Sequence, residues 1–215
     1  VKEHGKQPVK VMVETELPTD SGKPQRAKYS APLAEAARFY LARSYLGLNQ
    51  MPEARKTLRD SLADSPKSEL RAEANFAVAS TYHMPGPGND RELELGVKAL
   101  RDFLKEFPTS PRVVTAEHQI GLAFYQRNRL DDAVREFRAF LLRHAKNPGD
   151  QVPEARNLLG HALLRQKQYQ AAIDTWQQFL RDHPNHRMWN AVHGQVLTAE
   201  FQKGADAYHA KKYAD

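Results

Sequence analysis

The stretch Leu158–Pro184 restricts the possible fold more than any other part of the chain. Gly160 stands where two helices would touch, and the small residue Ala172 stands at the matching place on the following helix. The large apolar residue Trp176 follows and would fill the space between successive hairpins. Pro184 ends the helical pattern, because proline lacks an N–H group and disfavours helix in the residue before it. The spacing predicts a helix–turn–helix unit.

The same pattern of small and large residues recurs along the chain and predicts about five such units. In the last one, Tyr213 follows Gly204 at the spacing that separates Tyr169 from Gly160. We therefore predict an extended N-terminal arm or linker over residues 1–30 and one helical-repeat domain over 31–215. The small-residue places are Ala42, Ala79, Gly121, Gly160 and Gly204, and the repeats cover about residues 33–68, 69–110, 111–150, 152–186 and, truncated, 189–215.

Two segments depart from the helical pattern. The segment His83–Asp90 is rich in Pro and Gly, so it predicts an enlarged turn in the second repeat, with Asp90 as the cap of the next helix. Residues 9–13 alternate apolar and polar side chains, which indicates a short strand or an extended arm, and 18–24 reads as a turn and linker. We interpret this region as a flexible lead-in that lies against the first repeat. The alternative is a strand exchanged with a neighbouring domain.

Composition narrows the class of protein. The chain has 215 residues, 40% of them hydrophobic and 27% charged, with a net charge of +6. It has no cysteine, which excludes disulfides and thiolate zinc sites. It also lacks a run of 18 apolar residues, so no transmembrane helix is expected. Because it begins with Val and no apolar signal core follows, we interpret it as a fragment or as a form that has lost its leader.

The repeats resemble the tetratricopeptide family, and the resemblance extends from about Leu33 to Asp215. It implies an all-α fold: a right-handed superhelix, or α-solenoid, of antiparallel helix hairpins. The closing segments Phe103–Ser110 and Phe179–Pro184 are similar to those of bacterial envelope proteins, which favours a periplasmic or cell-envelope location over a cytoplasmic one. The segment Trp189–Asp215 also resembles repeat regions at the front of large macroglobulin-like proteins.

The resemblance further implies a concave face lined by the first helix of each hairpin. It predicts a non-enzymatic scaffold that binds a peptide or protein partner there, with possible self-association through the open terminal repeat. The Lys and Asn set with which one subgroup of the family grips terminal carboxylates is absent, so that ligand class is rejected. Several predicted groove residues could instead fill space against a neighbouring hairpin. The candidate groove residues are Phe39, Arg43, Phe76, Ser80, His83, His118, Tyr125, Asn157 and His161.

Other functions have weaker support in the sequence. His183, His186 and His193 could in principle supply three metal ligands, but a solvated loop explains them better, and we predict no metal or cofactor. No phosphate-binding loop, nucleophile elbow or cysteine nucleophile is present, so we predict no catalytic residues. The alternatives that stay open are a basic module that binds nucleic acid, which the scattered basic residues disfavour, and a substrate-presenting module of a larger chain.

Overall fold

A computed structural model describes residues 9–17, 25–146 and 149–210. The chain divides into two compact units, residues 1–116 and 117–215. The described residues form two strands and nine helices. None of these helices is both long enough and apolar enough to cross a membrane.

The arm is a two-stranded antiparallel sheet. Strand β1 spans Lys10–Leu17 and strand β2 spans Gln25–Pro32, in a register that sets Lys10 opposite Pro32 and Leu17 opposite Gln25. The alternation along β1 places Val13 in the core, fully buried beside Ala31 of β2. Burying a side chain of this size contributes about 1.5–3 kcal/mol, which anchors the sheet on the helices. The predicted linker over residues 18–24 lies outside the described residues.

The first unit adds two helical hairpins to this sheet. The first hairpin contains α1 (Leu33–Gly47) and α2 (Met51–Asp64), and the second contains α3 (Arg71–Ser80) and α4 (Asp90–Glu106). The inward faces of α1, α2 and α3 form one apolar core with the arm. This core contains Val13, Ala31, Ala36, Phe39, Ala42, Leu58, Leu70 and Ala74.

The second unit repeats the hairpin plan. Helix α5 (Val113–Gln126) begins just before the unit boundary, and α6 (Leu130–His144) follows it. The next hairpin contains α7 (Gln151–Arg165) and α8 (Tyr169–Asp182), and α9 (Trp189–His209) packs against α8. The predicted fold class, antiparallel helix hairpins behind a short non-helical arm, is confirmed.

Close packing at glycine explains why the pattern repeats. A Cβ atom added to Gly160 would lie 2.4 Å from Cε2 of the Trp176 indole, and one added to Gly121 would lie 2.7 Å from the Phe137 ring. Both aromatic side chains are fully buried. Only glycine allows so close an approach between the two helices of these two hairpins.

The turns inside the hairpins share one backbone conformation. Asn49, His83, Asn128 and Lys167 have φ near +59°, and each follows the first helix of its hairpin. In three hairpins the second helix begins two residues later, but α4 begins only at Asp90, so the second turn is enlarged as predicted. The prediction that Asp90 caps α4 is wrong. Asn89 is the cap, and its Oδ1 accepts a hydrogen bond from the Glu92 N–H at 2.9 Å.

Candidate binding pocket in the first unit

An open pocket lies between the arm and the first helices of the two hairpins. Its volume is about 170 Å³. Strand β1, α1, α3 and the residue just before α5 contribute its walls. The lining residues are Thr15, Glu16, Phe39, Arg43, Leu46, Glu73, Phe76, Ala77, Ser80 and Arg112.

Four of the predicted groove residues meet at this pocket: Phe39, Arg43, Phe76 and Ser80. They are brought together because residues four apart lie on the same face of a helix, and α1 and α3 present these faces to the same space. The Phe39 ring is buried and forms part of the floor, whereas Phe76 is half-buried. Arg43 is exposed, and none of the described residues forms an ion pair with it. Its guanidinium is therefore available to an anionic group.

A buried ion pair forms one wall of the pocket. The Arg112 guanidinium donates to both carboxylate oxygens of Glu73, with Nη2 2.9 Å from Oε2 and Nε 3.0 Å from Oε1. The same Nη2 donates to the main-chain oxygen of Glu16 at 2.5 Å, which ties β1 to this wall. The Tyr29 hydroxyl donates to Glu73 Oε1 at 3.1 Å. Burial, together with the negative charge of Glu73, raises the pKa of Tyr29 to about 12.

His83 does not line the pocket. It occupies the positive-φ position of the enlarged turn, and its ring points to residues of the turns. Its Nε2 lies 3.3 Å from Asn49 Oδ1, and its Nδ1 lies 3.2 Å from Glu92 Oε2. The structure therefore assigns His83 contacts that support the turn.

His118 lies in the core of the second unit, not on an open face. Only 5% of its surface is exposed, and its ring packs 5.7 Å from that of Phe140 and 6.2 Å from that of Phe137. Its Nε2 is 3.7 Å from Glu154 Oε2 and has no hydrogen-bond partner among the described residues. Burial lowers the pKa of His118 to about 4. His118 is therefore a neutral histidine in the core, and its ring does not line an open groove.

Asn157 and His161 contact residues of their own hairpin, whereas Tyr125 contacts the hairpin that follows. The Asn157 Oδ1 accepts from the Trp176 indole N–H at 3.1 Å, and the His161 ring packs edge-on against the same indole at 5.3 Å. The Arg165 guanidinium lies 5.5 Å above the Tyr125 ring. These contacts orient the side chains, and burial lowers the pKa of His161.

Four polar lining residues were not among the sequence candidates: Thr15, Glu16, Glu73 and Arg112. The alternation of β1 could have indicated that Thr15 faces inward, since it follows Val11 and Val13 at the same period. No sequence pattern indicates that Arg112 meets Glu73, because the two residues come from different hairpins.

The described residues do not bring together three or more His, Asp or Glu side chains in a way that could hold a metal ion. The rings of His183 and His186 both pack on Phe179, at 5.3 and 5.5 Å, and the His186 Nδ1 accepts from the Met188 N–H at 3.2 Å. His193 instead stacks on Trp189 at 5.3 Å. The histidines considered as ligands therefore serve packing and loop structure.

Comparison with known proteins supports the repeat assignment. Tetratricopeptide-repeat models match residues 36–68, 118–187 and 157–197, which together make up more than half of the chain. No curated protein matches the chain.

Two solved structures illustrate the likeness in fold. One is a Podosopora anserina protein assigned as a kinesin light chain with nearly identical TPR-like repeats: it has 17% identity and a TM-score of 0.57, and the match covers 82% of this chain and 90% of that one. The other is MamA AMB-1, with 18% identity, a TM-score of 0.54, and coverage of 84% of this chain and 90% of that one. At these identities the likeness concerns the fold alone.

Proposed function

Because the chain belongs to the tetratricopeptide repeat family, whose folds typically mediate protein–protein interaction, we propose that it is a non-enzymatic scaffold. We assign its partner site to the pocket of the first unit. The partner is an extended peptide segment with a carboxylate side chain for Arg43 and an apolar side chain for Phe76. The observation that supports this assignment is the exposed, unpaired Arg43 guanidinium beside a half-buried aromatic ring in an open pocket.

The pairing of the charged groups supports an acidic partner residue. The lining holds two arginines and two glutamates, but only Arg112 is paired, with Glu73, and none of the described residues forms an ion pair with Arg43. A charge-assisted hydrogen bond to Arg43 would be stronger than a neutral one, and the fork of the guanidinium matches a carboxylate. The Phe76 ring supplies the apolar contact that usually dominates affinity in such sites.

The test begins with peptides selected from a random display library on the wild-type chain. Calorimetry then compares the wild type with Arg43→Ala and with Arg91→Ala, a variant that removes an equally exposed helical arginine outside the pocket. We expect Arg43→Ala to weaken binding about tenfold or more, and Arg91→Ala to leave it unchanged. Equal losses in both variants, or no loss in either, would refute the assignment.

We also propose self-association through α9. Its outer face carries Leu197, Phe201 and Tyr208, and the Phe201 side chain is 76% exposed. A row of large apolar side chains on one helix face favours burial against a second copy. Sedimentation equilibrium should show a concentration-dependent dimer that Phe201→Ser abolishes, whereas Leu142→Ser, which removes an exposed leucine on α6, should have no effect. A wild-type chain that stays monomeric at high concentration would contradict this proposal.

The bacterial cell envelope is the location that we propose. The closing segments Phe103–Ser110 and Phe179–Pro184 support it through their likeness to envelope proteins. Fractionation of the native host should recover the protein with the periplasm or the envelope. Recovery in the cytoplasm alone would contradict the proposed location.

A further inference from the structure

A second pocket of the first unit is lined by a largely buried glutamate whose carboxylate has no partner among the described residues. Its volume is about 360 Å³, within the range of about 300–1,000 Å³ that ligand pockets occupy. It lies between the arm and the turn that joins α2 to α3. The lining residues are Lys10, Ser30, Pro32, Glu35, Ser65, Pro66, Lys67, Ser68 and Glu69. We call it the Glu35 pocket.

Glu35 differs from the other buried carboxylate of the described residues. Only 7% of Glu35 is exposed, and no residue in the described part of the chain donates a hydrogen bond to it or forms an ion pair with it. Glu73 is buried to a similar extent, but Arg112 and Tyr29 satisfy it. The Glu35 oxygens are not among the fully enclosed polar atoms without a partner, so they open onto the pocket and are available to a cation there.

The backbone at the start of α1 does not supply Glu35 with a hydrogen bond from the capping residue. Glu35 lies in the first turn of α1, at the position where a glutamate usually accepts a hydrogen bond from the N–H of the capping residue. Here the residue before the helix is Pro32, which has no N–H. Lys10 and Lys67 also line the pocket, but they are exposed and lie beyond ion-pair distance of Glu35.

The carboxylate and hydroxyl groups of the pocket suit a cationic ligand. Glu69 holds a second carboxylate in place by accepting the main-chain N–H of Ser30 at 2.8 Å. The Ser68 hydroxyl accepts the N–H of Leu70 at 2.9 Å, which fixes its oxygen in the lining. Two carboxylates and several hydroxyl groups offer acceptors to each N–H of an ammonium or guanidinium group.

We propose that the Glu35 pocket binds the cationic side chain of a lysine or arginine from a partner peptide. Glu35 forms the ion pair with this side chain, and Glu69 supports it from the rim. The ligand places its positive charge closer to the Glu35 carboxylate than the charges of Lys10 and Lys67, which form no ion pair with it. This site shares no lining residue with the pocket that contains Arg43. The result of one test therefore does not decide the other.

The test uses three small probes: N-acetyl-lysine amide, N-acetyl-arginine amide and the neutral N-acetyl-glutamine amide. Each is titrated into the ¹⁵N-labelled chain while amide chemical shifts are recorded. We expect saturable shifts at Glu35, Ser68 and Glu69 with one or both cationic probes and none with the neutral probe, and the relative affinities show whether lysine or arginine is preferred. Shifts of equal size with the neutral probe, or no saturable shifts, would overturn the proposal.

Two variants identify the carboxylate responsible. Glu35→Gln should weaken the cationic probe about tenfold or more, whereas Glu53→Gln should not change its affinity. Glu53 is a matched control, because it lies at the same position in the first turn of α2 but is exposed. Lys67→Met should keep or tighten binding by removing a competing cation. Unchanged affinity in Glu35→Gln, or loss of binding in Lys67→Met, would refute the role of Glu35.

A thermal melt without ligand gives an independent readout. If Glu35 is a ligand-binding carboxylate that is unpaired in the free chain, the neutral isostere Glu35→Gln should be as stable as the wild type or more stable. A clear fall in melting temperature for Glu35→Gln, alongside an unchanged Glu53→Gln, would instead assign Glu35 to stabilising the start of α1 and would overturn the proposal.

Discussion

The contact between Gly160 and Trp176 leads to a sharp prediction about stability. A Cβ atom at residue 160 would lie 2.4 Å from both Cε2 and Nε1 of the indole. The indole has little room to move, because it is fully buried and its N–H donates to Asn157 Oδ1 at 3.1 Å. Overpacking of this kind costs about 1–3 kcal/mol. Alanine recovers about 0.5–1 kcal/mol of helix preference, so the middle of both ranges gives a net loss of about 1 kcal/mol for Gly160→Ala.

The same substitution at Gly194 is the matched control. Gly194 lies in the interior of α9, and a Cβ atom there would meet nothing within 4 Å. Only the gain in helix preference remains, so Gly194→Ala should raise the free energy of unfolding by about 0.5–1 kcal/mol. The two variants should therefore change stability in opposite directions.

Urea unfolding, followed by far-UV circular dichroism and by tryptophan fluorescence, measures both effects. Two probes are needed because repeats can unfold in stages. A second substitution, Trp176→Phe, should cost less in the Gly160→Ala background than in the wild type, since the smaller ring relieves the clash. If Gly160→Ala were as stable as Gly194→Ala, the close helix contact inferred for this hairpin would be refuted.

Three further predictions concern other parts of the fold. Burial lowers the folded-state pKa of His118 from 6.5 to about 4, so protonation favours the unfolded chain as pH falls from 6.5 toward 4. The free energy of unfolding should therefore drop by about 2 kcal/mol between pH 7 and pH 5. A urea titration of His118→Phe should show a smaller drop. Glu73→Ala should cost about 3 kcal/mol in the same assay, because it leaves the Arg112 guanidinium buried without its partner; a cost below 1 kcal/mol would contradict this. Lys167→Gly should raise the melting temperature, with a gain of about 0.5–1 kcal/mol, because residue 167 has a φ of 58°; a lower melting temperature would contradict it.

Local sequence patterns predicted the hairpins well because the interactions that define them are close in sequence. The spacing indicated a close approach of two helices at Gly160, but it predicted that Trp176 lies between successive hairpins, whereas the indole packs on Gly160 within its own hairpin. The enlarged turn was equally visible, since Pro and Gly cannot continue a helix. The capping residue was placed one position too late because Asn89 and Asp90 are both good caps, and only the backbone geometry distinguishes them.

The candidate site was harder to predict because its walls come from distant parts of the chain. Arg112 donates a hydrogen bond to the main-chain oxygen of Glu16, although the two residues are 96 positions apart in the sequence. No local sequence pattern indicates such a contact. The burial of His118 was also not predicted from the sequence. Its position in the repeat suggested a surface donor, but the rings of Phe137 and Phe140 enclose it, and burial is a property of the packed hairpins.

The proposed peptide site can be tested most directly by photocrosslinking. A photoreactive amino acid is placed either at Ser80, in the pocket of the first unit, or at Leu142, an exposed position on α6. Each chain is irradiated with the same selected peptide, and the products are analysed by mass spectrometry. We expect a crosslink from position 80 that excess unlabelled peptide suppresses, and none from position 142. Crosslinking from position 142 alone, or equal yields from both positions, would contradict the assignment of the partner site to this pocket.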